Sequence, residues 1–348
     1  MTTTRRALPA LIVSGAAAIA LTGCAAPAPV SATDGLSVVA STNVYGSIAA
    51  AIAGDAATVT SIIDSPTIDP HSYEANAQDQ LAIANADLVI ENGGGYDPFV
   101  DVLVDGSGTT AMVLSAVVIA GVLEEGEDAH GHSDEEEGHS EEEGHSEEEA
   151  HSEEEAHSDE EAHSDDDGHG HVEGVNEHVW YDIHIMGDVA AAITAALIEL
   201  DAENAETFEQ NLATFEAALD ELEAELEQTA ATLGGGVVAT TEPVPAYLLA
   251  ELGLDDETPA EFTEAIEEGS DVPPLALQQV LELIGSGEVR LLAYNEQTAS
   301  PETERVRAAA EDAGIPVVSF VETLPDGEDY VSWMRANIGA VAAALAAE

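Results

Sequence analysis

Apolar and polar positions alternate along the chain in two separate βα series. In the first, short β-rich runs at 36–41, 57–63, 88–91 and 111–119 alternate with helix-like runs at 45–53, 75–86 and 97–104. In the second, runs at 237–240, 289–293 and 316–320 alternate with helix-like runs at 243–252, 275–284, 301–313 and 330–347. Strands that alternate with helices predict parallel sheets with helical crossovers. Between the two series, 186–200 reads as a helix, and a longer helix follows with Asp201 as its expected N-cap. The long helix places Phe208, Leu212, Phe215, Leu219, Leu222 and Leu226 on one stripe. The glycines Gly234, Gly235 and Gly236 should end it. The fold class is therefore α/β: two lobes flank a long helix. The expected boundaries are an N-terminal lobe at 36–200, the long helix at 201–233 and a C-terminal lobe at 234–348.

One segment breaks the pattern. Residues 124–173 are built on a six-residue unit, GHSEEE, GHSEEE, AHSEEE, AHSDEE, AHSDDD, closing on GHGH. His139, His145, His151, His157, His163 and His169 recur every sixth residue, with His130, His132 and His171 at the ends. Six residues advance a helix by about 600°, so these imidazoles would spread over three faces and form no stripe. Dense like charge with almost no apolar residues predicts a disordered insert within the first lobe.

Composition narrows the function. The 348 residues carry 71 Asp+Glu against 6 Lys+Arg, a formal net charge of −65, and all six basic residues are Arg. Such a charge repels phosphate, so nucleic acid is excluded as an expected partner, and polybasic attachment to anionic lipid is disfavoured. It favours cations. The single cysteine excludes an intrachain disulfide and a multi-cysteine zinc site. That cysteine, Cys24, closes the run Leu21-Thr22-Gly23-Cys24 after Arg5, Arg6 and an apolar stretch at 7–21. The arrangement resembles a bacterial lipobox. It implies a signal peptide at 1–23, lipidation of Cys24, anchorage to the outer face of the cell membrane and a flexible tether at 24–35.

Three histidines lie outside the insert: His71, His178 and His184. His71 sits in Asp69-Pro70-His71-Ser72-Tyr73-Glu74, directly after an expected strand, where open α/β sheets bind ligands. His178 sits in Asn176-Glu177-His178-Val179-Trp180-Tyr181-Asp182, before a helix. Two loop imidazoles beside a histidine-rich tract point to a transition metal. His184 reads as a surface or structural residue. No HExxH and no G-x-S-x-G is present, so the sequence offers no hydrolase signature.

These two motifs, in this order and separated by a His/acid-rich insert, resemble the zinc and manganese solute-binding proteins of bacterial ABC importers, cluster A-I, of the high-affinity zinc-uptake type. Ala86–Ile90 followed by Asn92-Gly93, the long helix, 237–254 and 289–324 belong to the same resemblance. It implies two Rossmann-like lobes joined by a rigid helix, with one metal in the cleft. His71 matches the first family ligand and His178 the second. Glu242 falls where zinc members often carry His and manganese members Glu, and Glu322 stands where Asp is usual. Asp182 or a nearby carbonyl is expected to orient a ligand imidazole, and Asn295 and Glu296 to support the site from behind. The resemblance implies a monomeric receptor, not an enzyme. It would pass Zn²⁺, or alternatively Mn²⁺, to an ABC permease and its ATPase, with the nine insert histidines as auxiliary low-affinity sites. A metal-buffering or adhesin lipoprotein and a metalloenzyme are the competing readings.

Overall fold

The computed structural model describes residues 35–123 and 175–346. Cys24 and the nine histidines from His130 to His171 lie outside the described residues. The first series gives β1 (Leu36–Thr42), α1 (Asn43–Ala53), β2 (Ala57–Ile63), α2 (Ala77–Ala84), β3 (Leu88–Glu91), α3 (Phe99–Ser107), β4 (Met112–Ser115) and α4 (Ala116–Ile119). Its four strands are parallel and ordered β2-β1-β3-β4. Val38, Val39 and Ala40 of β1 are all buried, as a central parallel strand covered on both faces requires.

Helices α5 (Ile183–Leu200) and α6 (Ala205–Leu233) follow. At 29 residues, α6 is about 43 Å long. The predicted stripe is its inner face: Phe208, Phe215, Leu219, Leu222 and Leu226 are buried. Gly234 ends the helix with φ of 75°, a left-handed conformation that a side chain would disfavour. α5 has the length and apolarity of a membrane span, but it is a core helix, with Met186, Val189, Ile193 and Leu197 fully buried.

The second series gives β5 (Gly236–Thr240), α7 (Ala246–Glu251), β6 (Leu254–Asp256), α8 (Ala260–Glu267), α9 (Pro274–Ile284), β7 (Val289–Asn295), α10 (Pro301–Ala313), β8 (Val317–Phe320) and α11 (Tyr330–Ala346). This sheet is also parallel, ordered β6-β5-β7-β8. Taken in chain order within each lobe, the two sheets have one topology.

The structure departs from the sequence pattern in three places. The run 111–119 is a strand only to Ser115; Val117 N–H then donates to Asn92 O at 3.0 Å and the chain turns into α4. Asp201 does not cap α6: its carboxylate accepts from Glu203 N–H at 3.1 Å and caps the single 3₁₀ turn Ala202–Asn204. β6 and α8 are not foreshadowed by the pattern. β6 has three residues, and α8 buries only Phe262, Thr263, Ala265 and Ile266.

One apolar core runs through the molecule, including Ile48 of α1, Phe208 and Leu222 of α6, Leu248 of α7, Leu291 of β7 and Tyr330 of α11. The two sheets thus share their packing with the long helix. Polar clasps add to it. Asn43 donates through Nδ2 to Leu324 O at 2.9 Å, and its Oδ1 accepts from Leu324 N–H at 2.8 Å. Tyr330 donates its hydroxyl to Trp180 O at 2.9 Å.

Candidate metal centre

The ends of the strands of both sheets converge on one buried cluster. From the first lobe, the loop after β2 delivers His71. Asp69 Oδ1 accepts from His71 N–H at 3.0 Å, an Asx turn that fixes the loop. His178 ends the segment leading into α5. Asn176 Oδ1 accepts from His178 N–H at 3.1 Å and lies 2.7 Å from His178 Nδ1. An oxygen that accepts the backbone N–H is also the acceptor for the ring, so the proton sits on Nδ1 and Nε2 carries the lone pair. Asp182 does not take that orienting role: its Oδ1 accepts from Ile185 N–H at 3.0 Å and caps α5.

An aromatic wall backs the two rings. Tyr96 meets His71 edge-on at 5.0 Å between centroids and Trp180 at 4.7 Å. Gly93, Gly94 and Gly95, all with positive φ, swing the chain so that Tyr96 enters the cluster. Asp97 locks this loop, accepting from Asn92 N–H at 2.7 Å and Gly93 N–H at 2.8 Å. Burial pushes its carboxyl up to about 6.

The second lobe supplies carboxylates. Glu322, after β8, is fully buried; Asn295 Nδ2 donates to its Oε1 at 2.7 Å, as expected for a supporting residue. Gln297 Oε1 accepts from Glu322 N–H at 2.7 Å, and Gln297 Nε2 donates to Ile68 O at 2.9 Å, tying both lobes to the same loop. Glu296 is exposed, as is His184. Glu242, after β5, is buried, and its Oε2 accepts from Thr298 Oγ1 at 2.6 Å.

Two donor sets result. One atom each of His71, His178 and Glu322 lie within 4.8 Å of one another, and so do one atom each of Glu177, His178 and Glu267. Glu242 belongs to neither tight group, although its charge is felt by the cluster. Glu177 stands inside a motif read for its histidine alone, and Glu267 ends α8, the helix the pattern did not announce.

The electrostatics call for a cation. Burial works against charge on His71, but Glu322, with Oε2 at 3.3 Å from its Nε2, and the more distant Glu177 and Glu267 hold its pKa up at about 10. Burial likewise opposes charge on Glu322, and His71 brings it below the usual carboxylate range. Burial and Glu322 push Glu242 up to about 8; burial and Glu177 push Glu267 up to about 9. In the metal-free protein His71 thus pairs as an imidazolium with Glu322, while burial favours the protonated forms of Glu242 and Glu267, and a divalent ion would displace these protons. A cavity of about 520 Å³ opens onto this cluster past Asp69, His71, Glu267 and Thr298. A larger one of about 640 Å³, beside Ala50, Phe215 and Tyr330, is lined by none of these donors.

Known proteins share this architecture. The chain is similar to the manganese-complexed solute-binding protein FpvC of Pseudomonas aeruginosa, with 20% identity, 90% of this chain and 99% of that one covered, and a TM-score of 0.65. It is similar to the periplasmic zinc-binding protein TroA of Treponema pallidum, at 17% identity, 88% and 98% coverage and a TM-score of 0.64. It is also similar to a zinc-bound ZnuA lacking residues 138–173 of its own chain, at 20% identity, 89% and 98% coverage and a TM-score of 0.64. The family model for the periplasmic component A of the zinc-uptake complex matches residues 38–344. The chain therefore belongs to the ZnuA family, the metal-binding periplasmic components of ABC metal-uptake systems.

Proposed function

We propose that the chain captures Zn²⁺ outside the cytoplasm and delivers it to an ABC permease and its ATPase. The observation that carries this reading is the meeting of His71 and His178 with Glu322 in one buried cluster. Glu242 is assigned as the fourth ligand: it is buried beside the cluster, where its carboxylate accepts from Thr298 Oγ1 at 2.6 Å. Two neutral imidazoles and two carboxylates balance a divalent charge, and four protein ligands suit retention rather than turnover. His71 Nε2 and Glu322 Oε2 are 3.3 Å apart. Two ligands bound at about 2.1 Å and tetrahedrally disposed would be separated by about 3.4 Å.

Lipidation at Cys24 would keep the receptor beside its permease. The nine insert histidines, tethered just before His178, would collect zinc weakly and raise its local concentration. Manganese is the second reading, favoured by the carboxylates around His178 and by the manganese complex of FpvC.

Elemental analysis of the purified chain and chelator-competition titration with Zn²⁺ and Mn²⁺ test this. One tight Zn²⁺ site, lost in His71→Ala and in His178→Ala, is expected. Tight binding that survives both substitutions would place the metal chemistry in the insert and reject the assignment. Deleting residues 128–171 should impair growth only when zinc is limiting; identical growth at every zinc level would reduce the insert to a spacer.

A further inference from the structure

Besides Glu177, the donor cluster contains a carboxylate that neither the sequence motifs nor the four-ligand reading uses. Glu267 is the last residue of α8, and its side chain is 9% exposed. Its Oε1 is buried and accepts no hydrogen bond from any described residue. It lies 3.6 Å from His178 Nε2, the nitrogen that Asn176 leaves with its lone pair. At that distance the two atoms are too far apart for a hydrogen bond. Their spacing is only slightly wider than that of neighbouring ligands of one ion, which stand about 3 to 3.4 Å apart for 90° to 109° at bonds of about 2.1 Å.

The placement is costly without a cation. The C-terminal end of a helix carries partial negative charge and disfavours an acid there. Glu177 adds a second carboxylate within 4.8 Å of the same group. Ionising a carboxyl buried beside Glu177 is costly, and a divalent ion would offset that cost. Glu267 and His71 also border the same cavity, so an ion arriving through it meets both.

We propose that Glu267 is a further ligand of the transported metal, supplied by α8 from the cavity side, and that it widens the site's selectivity toward Mn²⁺. This rests on the reading of His71, His178 and Glu322 as ligands of the cargo. Zinc is satisfied by four ligands and can dispense with a fifth. Manganese prefers a larger, oxygen-rich shell and depends on every carboxylate within reach. The difference between the two ions is therefore the signature of Glu267, whereas loss of His71 removes both ions alike.

The test is chelator-competition titration of the full chain with Zn²⁺ and with Mn²⁺, for the parent protein, Glu267→Gln, Glu267→Asp, Glu268→Gln and His71→Ala. The insert is the same in every variant, so its weak sites cancel from the differences. Glu267→Gln keeps the side-chain shape and should weaken Mn²⁺ by about tenfold or more, with Zn²⁺ changed by less than about threefold. Glu267→Asp keeps the charge, retracts it by one methylene and should fall between parent and Gln. X-ray absorption at the manganese edge should count one oxygen ligand fewer in Glu267→Gln. Unchanged Mn²⁺ affinity, equal loss of both ions, or the same loss from the exposed neighbour Glu268→Gln would each overturn the proposal. Tight binding retained by His71→Ala would instead reject the underlying ligand assignment, whatever Glu267→Gln does.

Discussion

The two lobes have the same parallel sheet, in the orders β2-β1-β3-β4 and β6-β5-β7-β8, and both turn the ends of their strands toward one cluster. Yet they contribute opposite chemistry. The first lobe brings both imidazoles, His71 and His178, with Glu177 beside them. The second brings Glu242, Glu267 and Glu322. A repeated scaffold has thus been loaded with nitrogen donors on one side and oxygen donors on the other. The difference has a physical consequence. In the metal-free protein the halves hold each other as an imidazolium–carboxylate pair, His71 with Glu322 at 3.3 Å. On the proposed ligand assignment, an ion that replaces the proton would keep the same two halves together, so binding would require exchange at the cluster rather than assembly of a new one.

The sharpest way to break the asymmetry is to remove one side of it. His71→Ala or His178→Ala should weaken the site by more than about 100-fold, beyond the range for groups that only orient a ligand. Glu322→Ala should do the same from the opposite lobe. Titration by chelator competition reads all three; a loss confined to the histidine variants would mean that the second lobe does not ligate. Next come the residues behind the proposed ligands. Asn176→Ala and Asn295→Ala should each cost about 10–100-fold, since one holds the His178 ring and the other Glu322 Oε1. Affinity unchanged in both would sink the claim that the rings and carboxylates are held in place from outside.

What the sequence revealed and what it concealed follow the same asymmetry. β1 and α6 were legible because a continuous apolar run and a seven-residue stripe are periodic signals that packing must honour. His71 and His178 were legible because each lies in a local motif after or before a regular element. For the residue that orients the His178 ring, the sequence offered Asp182 or a nearby carbonyl and did not single out Asn176. The structure did, because α5 needs Asp182 as its cap, and Asn176 is left for the ring. Glu267 was hidden for a different reason. α8 has eight residues in an acid-rich stretch, and nothing local distinguishes Glu267 from Glu264 or Glu268. Only the three-dimensional approach of α8 to His178 does.

The clasp between the lobes offers a smaller perturbation. Asn43 exchanges two hydrogen bonds with Leu324, close in sequence to Glu322. Asn43→Ala should lower the unfolding free energy by about 2 kcal/mol, at about 1 kcal/mol for each bond. It should weaken metal binding by only a few-fold, about 1 kcal/mol or less. Denaturant melts with and without Zn²⁺ check both numbers. A loss of affinity as large as that of Glu322→Ala would mean that the clasp, and not the carboxylate, sets the geometry of the second lobe's donors.

The smallest effect on the metal should come from Asp97, which braces the Tyr96 loop without reaching the cluster. Its contribution is to stability, and its pH dependence has a definite sign. Burial raises its pKa from 3.8 to about 6 in the folded protein, so between those values the folded state binds more protons than the unfolded one. The stability that Asp97 confers therefore falls as pH rises through that window and is level above it, with a slope of at most about 1.4 kcal/mol per pH unit. Asn at this position cannot titrate. The advantage of the parent over Asp97→Asn in urea melts should accordingly shrink from about pH 4 to about pH 6 and then hold constant, while Zn²⁺ affinity at neutral pH stays within about twofold. Other acids titrate in both proteins and cancel from the difference. A constant difference across the window would show that the loop holds Asp97 as an ordinary ionised carboxylate, and that its two backbone hydrogen bonds outweigh its burial.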